Sequence, residues 1–374
     1  MNERIYLSPP YMCGNEQKYV QDAFESNWVA PLGPNVTAFE KEMASYIGVN
    51  YAVATNAGTA AIHLALRCLG VSSGDIVFCS DLTFAGSCNP ILYQHARPIF
   101  IDSEPDSYNM SPAALEDAFK WAKAHGNMPK AVIIVDLYGQ SADYDALLPL
   151  CAQYGVPVLE DAAEAVGASY HGKLCGSFGM INIQSFNGNK IVNCSGGGMV
   201  LTDDESAAQK MLFWATQARS SAVHYEHEDY GYNYRLSNVS AGIGRGQLEA
   251  LTWKMARRRE IYENYVALFA DDPVHMQPIF TEGTSNYWMS VAILDNAKAS
   301  PIQICEALNA ENIEARPAWK PMHMQPIFVS CPYFSHDAKD IGAALFEKGL
   351  CLPSGEALTL AQQERIATIV RRNQ

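Results

Sequence analysis

Tyr51-Ala-Val-Ala-Thr-Asn-Ala-Gly-Thr59 joins two structural patterns within nine residues. Its first five residues carry no charge and read as a buried strand. Past Gly58-Thr59, apolar residues recur at Ile62, Leu66 and Leu69, the spacing of one helix face. A strand that turns through glycine into a helix is the building unit of a parallel sheet. The unit repeats outward from this point. Further strands are expected at 76–78, 98–101, 131–135 and 156–159, with helices at 112–124 and 144–154 between them. Strands alternating with helices imply an α/β fold with a largely parallel sheet covered on both faces. Its ligand is expected beyond the carboxyl ends of the strands.

Residues 181–186 alternate like another strand, and Asn187-Gly-Asn-Lys190 then turns. Ser195-Gly-Gly-Gly198 leads into a strand at 199–201. This predicts two strands joined by an irregular loop that holds one lysine. A helical pattern over 237–269 leads out of the large domain, and a strand at 289–294 with a helix at 301–309 suits a smaller α+β domain. The expected division is a large domain over 15–245 and a small C-terminal domain over 246–374, with residues 1–14 packing on the latter.

The chain has 374 residues, 48% hydrophobic and 18% charged, an ordinary globular balance that suits two packed domains. Its net charge of -14 excludes a basic surface for nucleic acid or anionic membrane. A phosphate-bearing ligand must therefore be held by local donors. Ten cysteines are scattered with no C-x-x-C pair, which fits a reduced cytoplasmic protein better than a disulfide scaffold. The N-terminal stretch is interrupted by charges and prolines, so no signal peptide is expected. No run reaches the roughly 18 apolar residues of a membrane helix.

Three places carry candidate chemistry. Asn56-Ala-Gly-Thr59 stands where backbone N–H groups at a helix N-terminus bind phosphate, although a simple capped turn gives the same pattern. Glu160-Asp-Ala-Ala-Glu164 follows the strand at 156–159, where an acid points into the ligand crevice; a helix cap would suit Asp161 equally. Glu164 lies three positions on, which a helical start would bring toward the same side. Lys190 sits among small and polar loop residues, between an apolar strand and a glycine run. Most lysines are solvated surface charges, but these surroundings would desolvate the amine and suit Schiff-base chemistry. Gly196-Gly-Gly198 lacks the G-K-[ST] ending of a P-loop, and Gly242-Ile-Gly-Arg-Gly246 misses the dinucleotide fingerprint. His224 and His227 have no neighbouring cysteine or acid cluster to complete a metal site, so no metal is expected.

Asn-Ala-Gly-Thr (56–59), Glu-Asp-Ala-Ala-Glu (160–164), Ser-Phe-Asn-Gly-Asn-Lys (185–190) and Ser-Gly-Gly-Gly (195–198) together resemble the nucleotide-sugar aminotransferases of the DegT–DnrJ–StrS group. Gly231-Tyr-Asn-Tyr-Arg-Leu-Ser-Asn238 and Trp319-Lys-Pro-Met-His323 extend the likeness in the same order. The resemblance runs from the N-terminal segment past residue 350, and motifs in register are far more specific than any one alone. It implies a fold-type-I enzyme with a mostly parallel seven-stranded sheet, pyridoxal 5'-phosphate as cofactor, and a homodimer with a shared active site.

By that resemblance Lys190 forms the Schiff base with the cofactor and shuttles the proton of transamination. Asp161 pairs with the pyridine nitrogen, Glu164 lies near the ring, and Phe84 stacks on its face. Gly58, Thr59 and Ser185 bind the phosphate, Asn187 lies within the cofactor site, and Asn233 reaches the phosphate across the dimer interface. Arg219, Arg235, Trp319, Lys320 and His323 are the candidate contacts for the amino donor and the nucleotide sugar. The reaction implied is ping-pong, with L-glutamate as donor. Ser-Phe-Asn-Gly-Asn-Lys together with Arg316-Pro-Ala-Trp-Lys-Pro-Met-His323 looks most like enzymes aminating UDP-2-acetamido-4-keto-2,6-dideoxy sugars at C4, the route to bacillosamine-type glycans. A dTDP-keto sugar aminated at C3 or C4 is the alternative. Sugar dehydratases of the same fold replace the lysine with histidine, which Lys190 argues against. A regulatory homologue acting on DNA would need a basic extension that this acidic chain lacks.

Overall fold

The computed structural model describes residues 3–295 and 298–373. Its main sheet has eight strands in the order Tyr51–Thr55, Gly198–Thr202, Ile181–Ser185, Val158–Asp161, Ala131–Val135, Ile76–Ser80, Arg97–Ile101 and Tyr333–Phe334. Gly198–Thr202 runs antiparallel to both neighbours, and every other pair is parallel. The two strands around the lysine loop thus pair directly with each other. Seven strands match the expected sheet. The eighth, two residues long, comes from far along the chain and pairs with the Arg97–Ile101 edge.

The interior strands are buried along their whole length, which is why they read as continuous apolar runs. Their side chains still alternate between two cores. Val77, Cys79 and Ile133 pack with Ile62 and Leu66 of the helix Gly58–Cys68 on one face. Ile76, Phe78 and Val132 pack on the other face with Leu115 and Phe119 of Pro112–Ala124 and with Leu147 of Tyr144–Gln153. Phe119 is wholly buried, and truncating such a ring to alanine costs about 3–5 kcal/mol.

The helical pattern over 237–269 is two helices, Asn238–Glu249 and Leu251–Leu268, broken at Ala250. The break redirects the chain. The first helix packs on Glu16–Glu25 and Pro34–Ile47, and the second on Leu360–Arg372. Beyond it lies an antiparallel four-stranded sheet in the order Val274–Met276, Ser290–Leu294, Gly349–Leu352 and Arg316–Pro317. Ile5 bridges to Ile313 and is buried in the same core as Ile261, Leu308 and Leu350. Among the described residues the ten cysteines are unpaired, and no helix is long and apolar enough to cross a membrane.

Candidate active site

The parallel strands end on one edge of the sheet, and the sequence places its polar residues there. Thr55 and Ser185 both stand in register with Gly198, so the Asn56 turn, the lysine loop and the glycine run converge. A Cβ at Gly198 would lie 2.4 Å from the backbone of Ala57 and Gly58; only glycine lets the middle strand approach the helix start this closely. Gly58 comes similarly close to Ser185, with a built Cβ 3.1 Å from the serine Cβ. The helix Gly58–Cys68 has no side-chain cap, so its first N–H groups are left to the cavity beyond the sheet.

That cavity has a volume of about 310 Å³, and Gly58, Thr59, Phe84, Asp161, Glu164, Ser185, Asn187 and Lys190 all line it. Eight expected cofactor contacts or catalytic groups, from four chain segments, therefore share one space. Asp161 ends the strand Val158–Asp161 and is only 3% exposed. It accepts hydrogen bonds from the Ser87 hydroxyl at 2.6 Å and the Ala163 N–H at 3.2 Å. Both partners are neutral. Burial pushes the carboxyl pKa up, and the Ser87 and Ala163 hydrogen bonds and the Lys190 charge oppose that rise.

The Lys190 side chain is 11% exposed, with Nζ 3.5 Å from the Glu164 carboxylate and 4.1 Å from the Trp288 ring centre. The other Glu164 oxygen accepts the Tyr138 N–H at 2.7 Å. Burial raises the Glu164 pKa, and the nearby Lys190 offsets part of that rise. The lysine loop is pinned through the Asn189 carbonyl, which accepts from Trp288 Nε1 at 2.8 Å and Ser8 Oγ at 2.9 Å. Phe84 precedes the helix Ala85–Tyr93 and is 63% exposed at the cavity, near Trp319 with ring centres 5.9 Å apart.

This arrangement fits pyridoxal phosphate. The uncapped helix start beside the Ser185 hydroxyl offers donors for a phosphate. Asp161, a buried carboxylate whose hydrogen-bond partners are neutral, would gain a directly paired cation from a protonated ring nitrogen. Phe84 offers an aromatic face, and Lys190 an amine within the same cavity. Asn233 lies outside the cavity lining in this chain; it is exposed, and its carbonyl accepts from Asn56 Nδ2 at 3.1 Å.

The expected substrate contacts divide. Trp319 lines the cavity, and Lys320 stands beside it but is absent from the lining. Arg235 does not serve as a free cation. Its guanidinium is held by the Glu40 carboxylate and by the Ala54 carbonyl at 3.1 Å, so it ties the Pro34–Ile47 helix to the first strand. His323 is likewise committed. Its Nδ1 meets Asp81 at 2.6 Å, its Nε2 meets Asp340 at 3.2 Å, and its ring stacks on Tyr333. Burial lowers the imidazole pKa, but the hydrogen bond and charge of Asp81, with Asp340, outweigh it and leave a net rise. His323 thus anchors the Trp319 loop to the end of the Ile76–Ser80 strand. Arg219 is exposed, stacks over Tyr225 at 4.7 Å, and lines neither the cavity nor its neighbour. His224 and His227 contact Glu226 and the Ala218 carbonyl.

No pattern in the sequence marks Ser87, Trp288 or Tyr138. Ser87 lies one helical turn past Phe84, but Pro90 breaks the helical pattern that would have placed it. Trp288 arrives from about a hundred positions away, so no local signal marks it.

The sequence profile of the DegT/DnrJ/EryC1/StrS aminotransferase family matches residues 10–371. The chain is 52% identical to EpsN of Bacillus subtilis (strain 168), provisionally named a pyridoxal phosphate-dependent aminotransferase, over 99% of this chain and 96% of that protein. It is 35% identical to the GDP-perosamine synthase of Caulobacter vibrioides, over 97% of this chain and 96% of that enzyme. Among solved structures, a DegT DnrJ EryC1 StrS aminotransferase from Brucella abortus superimposes with a TM-score of 0.88 at 27% identity, covering 96% of this chain and 95% of that one.

Proposed function

We propose that this chain, which belongs to the DegT/DnrJ/EryC1/StrS aminotransferase family and is a pyridoxal phosphate-dependent sugar aminotransferase, moves the amino group of L-glutamate to the C4 keto carbon of a UDP-linked 2-acetamido-4-keto-2,6-dideoxy sugar. The observation that carries a nucleotide-linked substrate is a second cavity of about 570 Å³. It shares Phe84, Asn189, Trp288 and Trp319 with the Lys190 cavity and runs on to Tyr6 and Arg316. A hexose at Lys190 would leave its diphosphate near a guanidinium, whose fork suits phosphate oxygens.

Pyridoxal phosphate, when bound, supplies a carbonyl carbon that bonds amines and a ring that draws electrons from the adjacent carbon. The chain does the rest. Gly58 and Thr59 N–H groups and the Ser185 hydroxyl hold the phosphate, with Asn233 of the partner subunit closing that site in a homodimer. Asp161 holds the ring-nitrogen proton, and Ser87 fixes the carboxylate that does so. Phe84 covers one face, while Asn187 and Glu164 bound the site. Lys190 Nζ would take the proton from the amino-donor carbon and return it to the cofactor carbon on the far side of the transferred nitrogen, then work in the opposite sense when the amine leaves for the sugar. Trp319 and Lys320 face the sugar. Arg219, exposed and stacked over Tyr225, stays a candidate substrate contact apart from the two cavities.

A GDP-linked keto sugar is the second reading, favoured by the 35% identity to GDP-perosamine synthase. Purified protein loaded with pyridoxal phosphate and given L-glutamate with UDP-, GDP- and dTDP-linked 4-keto sugars separates them by product mass. Amination of the UDP substrate with catalytic efficiency at least tenfold above the others is expected, and a preference for the GDP sugar would replace the first reading with the second. In Lys190→Ala turnover should fall by at least 10³-fold, in line with loss of a catalytic nucleophile that is also the base.

A further inference from the structure

Tyr138 adopts the left-handed region, with φ 52° and ψ 25°, although it is a tyrosine and almost wholly buried. A bulky residue held there is kept by what surrounds it. Besides the contact of its phenol with Cys351, two bonds tie it to the site. The backbone N–H at this turn donates to Glu164 Oε2 at 2.7 Å, on the carboxylate that faces Lys190. The phenol oxygen accepts the Trp319 N–H at 3.0 Å, and the two rings pack 5.4 Å apart. The turn itself is tied down from the third side: Asn286 N donates to the Gly139 carbonyl at 3.0 Å, and Asn286 Nδ2 donates to the Glu164 carbonyl at 2.7 Å. The residue therefore stands between the amine-handling corner of one cavity and the indole that walls both. Trp319 also borders Phe84 and Trp288, so its backbone position sets the width of the passage between the cavities.

We infer that Tyr138 is a positioning residue for the second substrate, its hydroxyl fixing Trp319 as the partition between the Lys190 cavity and the cavity that takes the nucleotide-linked sugar. The assignment rests on the proposed substrate reading. Its two bonds separate the two halves of the reaction. Removing the hydroxyl frees Trp319 but leaves the backbone N–H on Glu164, so the glutamate step keeps its geometry. The Trp319 N–H is then left without its acceptor, a loss that frees the loop to move.

The test is Tyr138→Phe in the full-length holoenzyme. Acrylamide quenching of the Trp319 indole, isolated by difference against Trp319→Phe backgrounds, is expected to rise at least twofold. The dissociation constant for UDP-N-acetylglucosamine, a nucleotide sugar with no keto group to react, is expected to rise roughly tenfold by calorimetry. The glutamate-driven change in the cofactor absorbance band should keep its wild-type rate. Unchanged quenching, or a glutamate step slowed as much as sugar binding is weakened, overturns the inference in favour of a general structural role. If the wild-type protein binds no UDP sugar, the substrate reading fails, and the quenching result still decides the role of the hydroxyl. Should Tyr138→Phe not fold, amide hydrogen exchange of the wild-type holoenzyme must show a protected Trp319 N–H whose protection UDP-N-acetylglucosamine deepens, and an unprotected N–H overturns the inference.

Discussion

The role proposed for Lys190 depends on neighbours that the fold brings to it as well as on its own loop. Glu164, three positions past Asp161, and the ring of Trp288 bracket its Nζ. The lysine, the two acids and the phosphate-end residues were legible in the sequence because each sits within a short run at a strand end, where geometry follows from position. Ser87 and Trp288 were not, because what makes them important is a contact with something distant. His63 shows a different residue-scale effect. It is buried in the helix Gly58–Cys68 beside Tyr234, with its Nδ1 3.2 Å from the phenol oxygen. Burial, with the Arg67 charge, lowers its pKa to about 4. The folded state thus keeps it neutral while the unfolded chain titrates near 6.5, so its stabilising share is whole above pH 6.5 and drains away as pH falls toward 4. Urea midpoints across that window should show a loss of up to about 3 kcal/mol that His63→Phe lacks.

Elements were easier to read where one pattern held throughout. The strand Ala131–Val135 and the helix Pro112–Ala124 lie where their residues predict, the helix with Ser111 capping it and proline in its first turn. Departures have local causes. Pro90 hides the helix Ala85–Tyr93, and the turn at Ala250 divides what reads as one long helix. The strand Tyr333–Phe334 is too short for any periodicity to show, and only its partner makes it a strand. The element that matters most to the site is Gly198–Thr202, whose first residue touches the start of the helix Gly58–Cys68. Gly198→Ala has to displace that backbone. It should lower stability by about 1–3 kcal/mol and weaken cofactor binding measured by titration at least tenfold, because the proposed phosphate donors move with the helix. Gly188→Ala, whose Cβ would sit 3.5 Å from the nearest atom, should leave stability nearly unchanged.

At the scale of the molecule, the proposed division at residue 246 separates the main sheet from the four-stranded one, yet neither part is sequence-contiguous: Tyr333–Phe334 returns to the first and Ile5 joins the second. Packing of residues 1–14 on the small domain is expected from the sequence, whereas no local pattern could show the return of Tyr333–Phe334. The proposed dimer draws support from exposed apolar groups, Phe24, Trp28, Val29 and Leu32 on one stretch, which a lone chain would leave to water. If Asn233 of the partner subunit completes each site, Lys190→Ala and Asn233→Ala subunits mixed after unfolding and refolding together should regain about one quarter of wild-type activity. Half of the dimers are then mixed, and one of two sites in each is whole. No recovery would place Asn233 in its own subunit's site.

The bridge between Ile5 and Ile313 also fixes a timetable. A growing chain delivers its N-terminal segment to the ribosome exit long before residue 313 exists, so Ile5 waits, uncovered, while the main sheet assembles around its own nearer neighbours. The edge of Arg97–Ile101 waits too, its backbone groups unpaired until Tyr333–Phe334 emerges. Contacts of such separation close late and slowly. Through most of its synthesis this protein carries an open sheet edge and an undocked Ile5, and the open edge above all invites chaperones or aggregation.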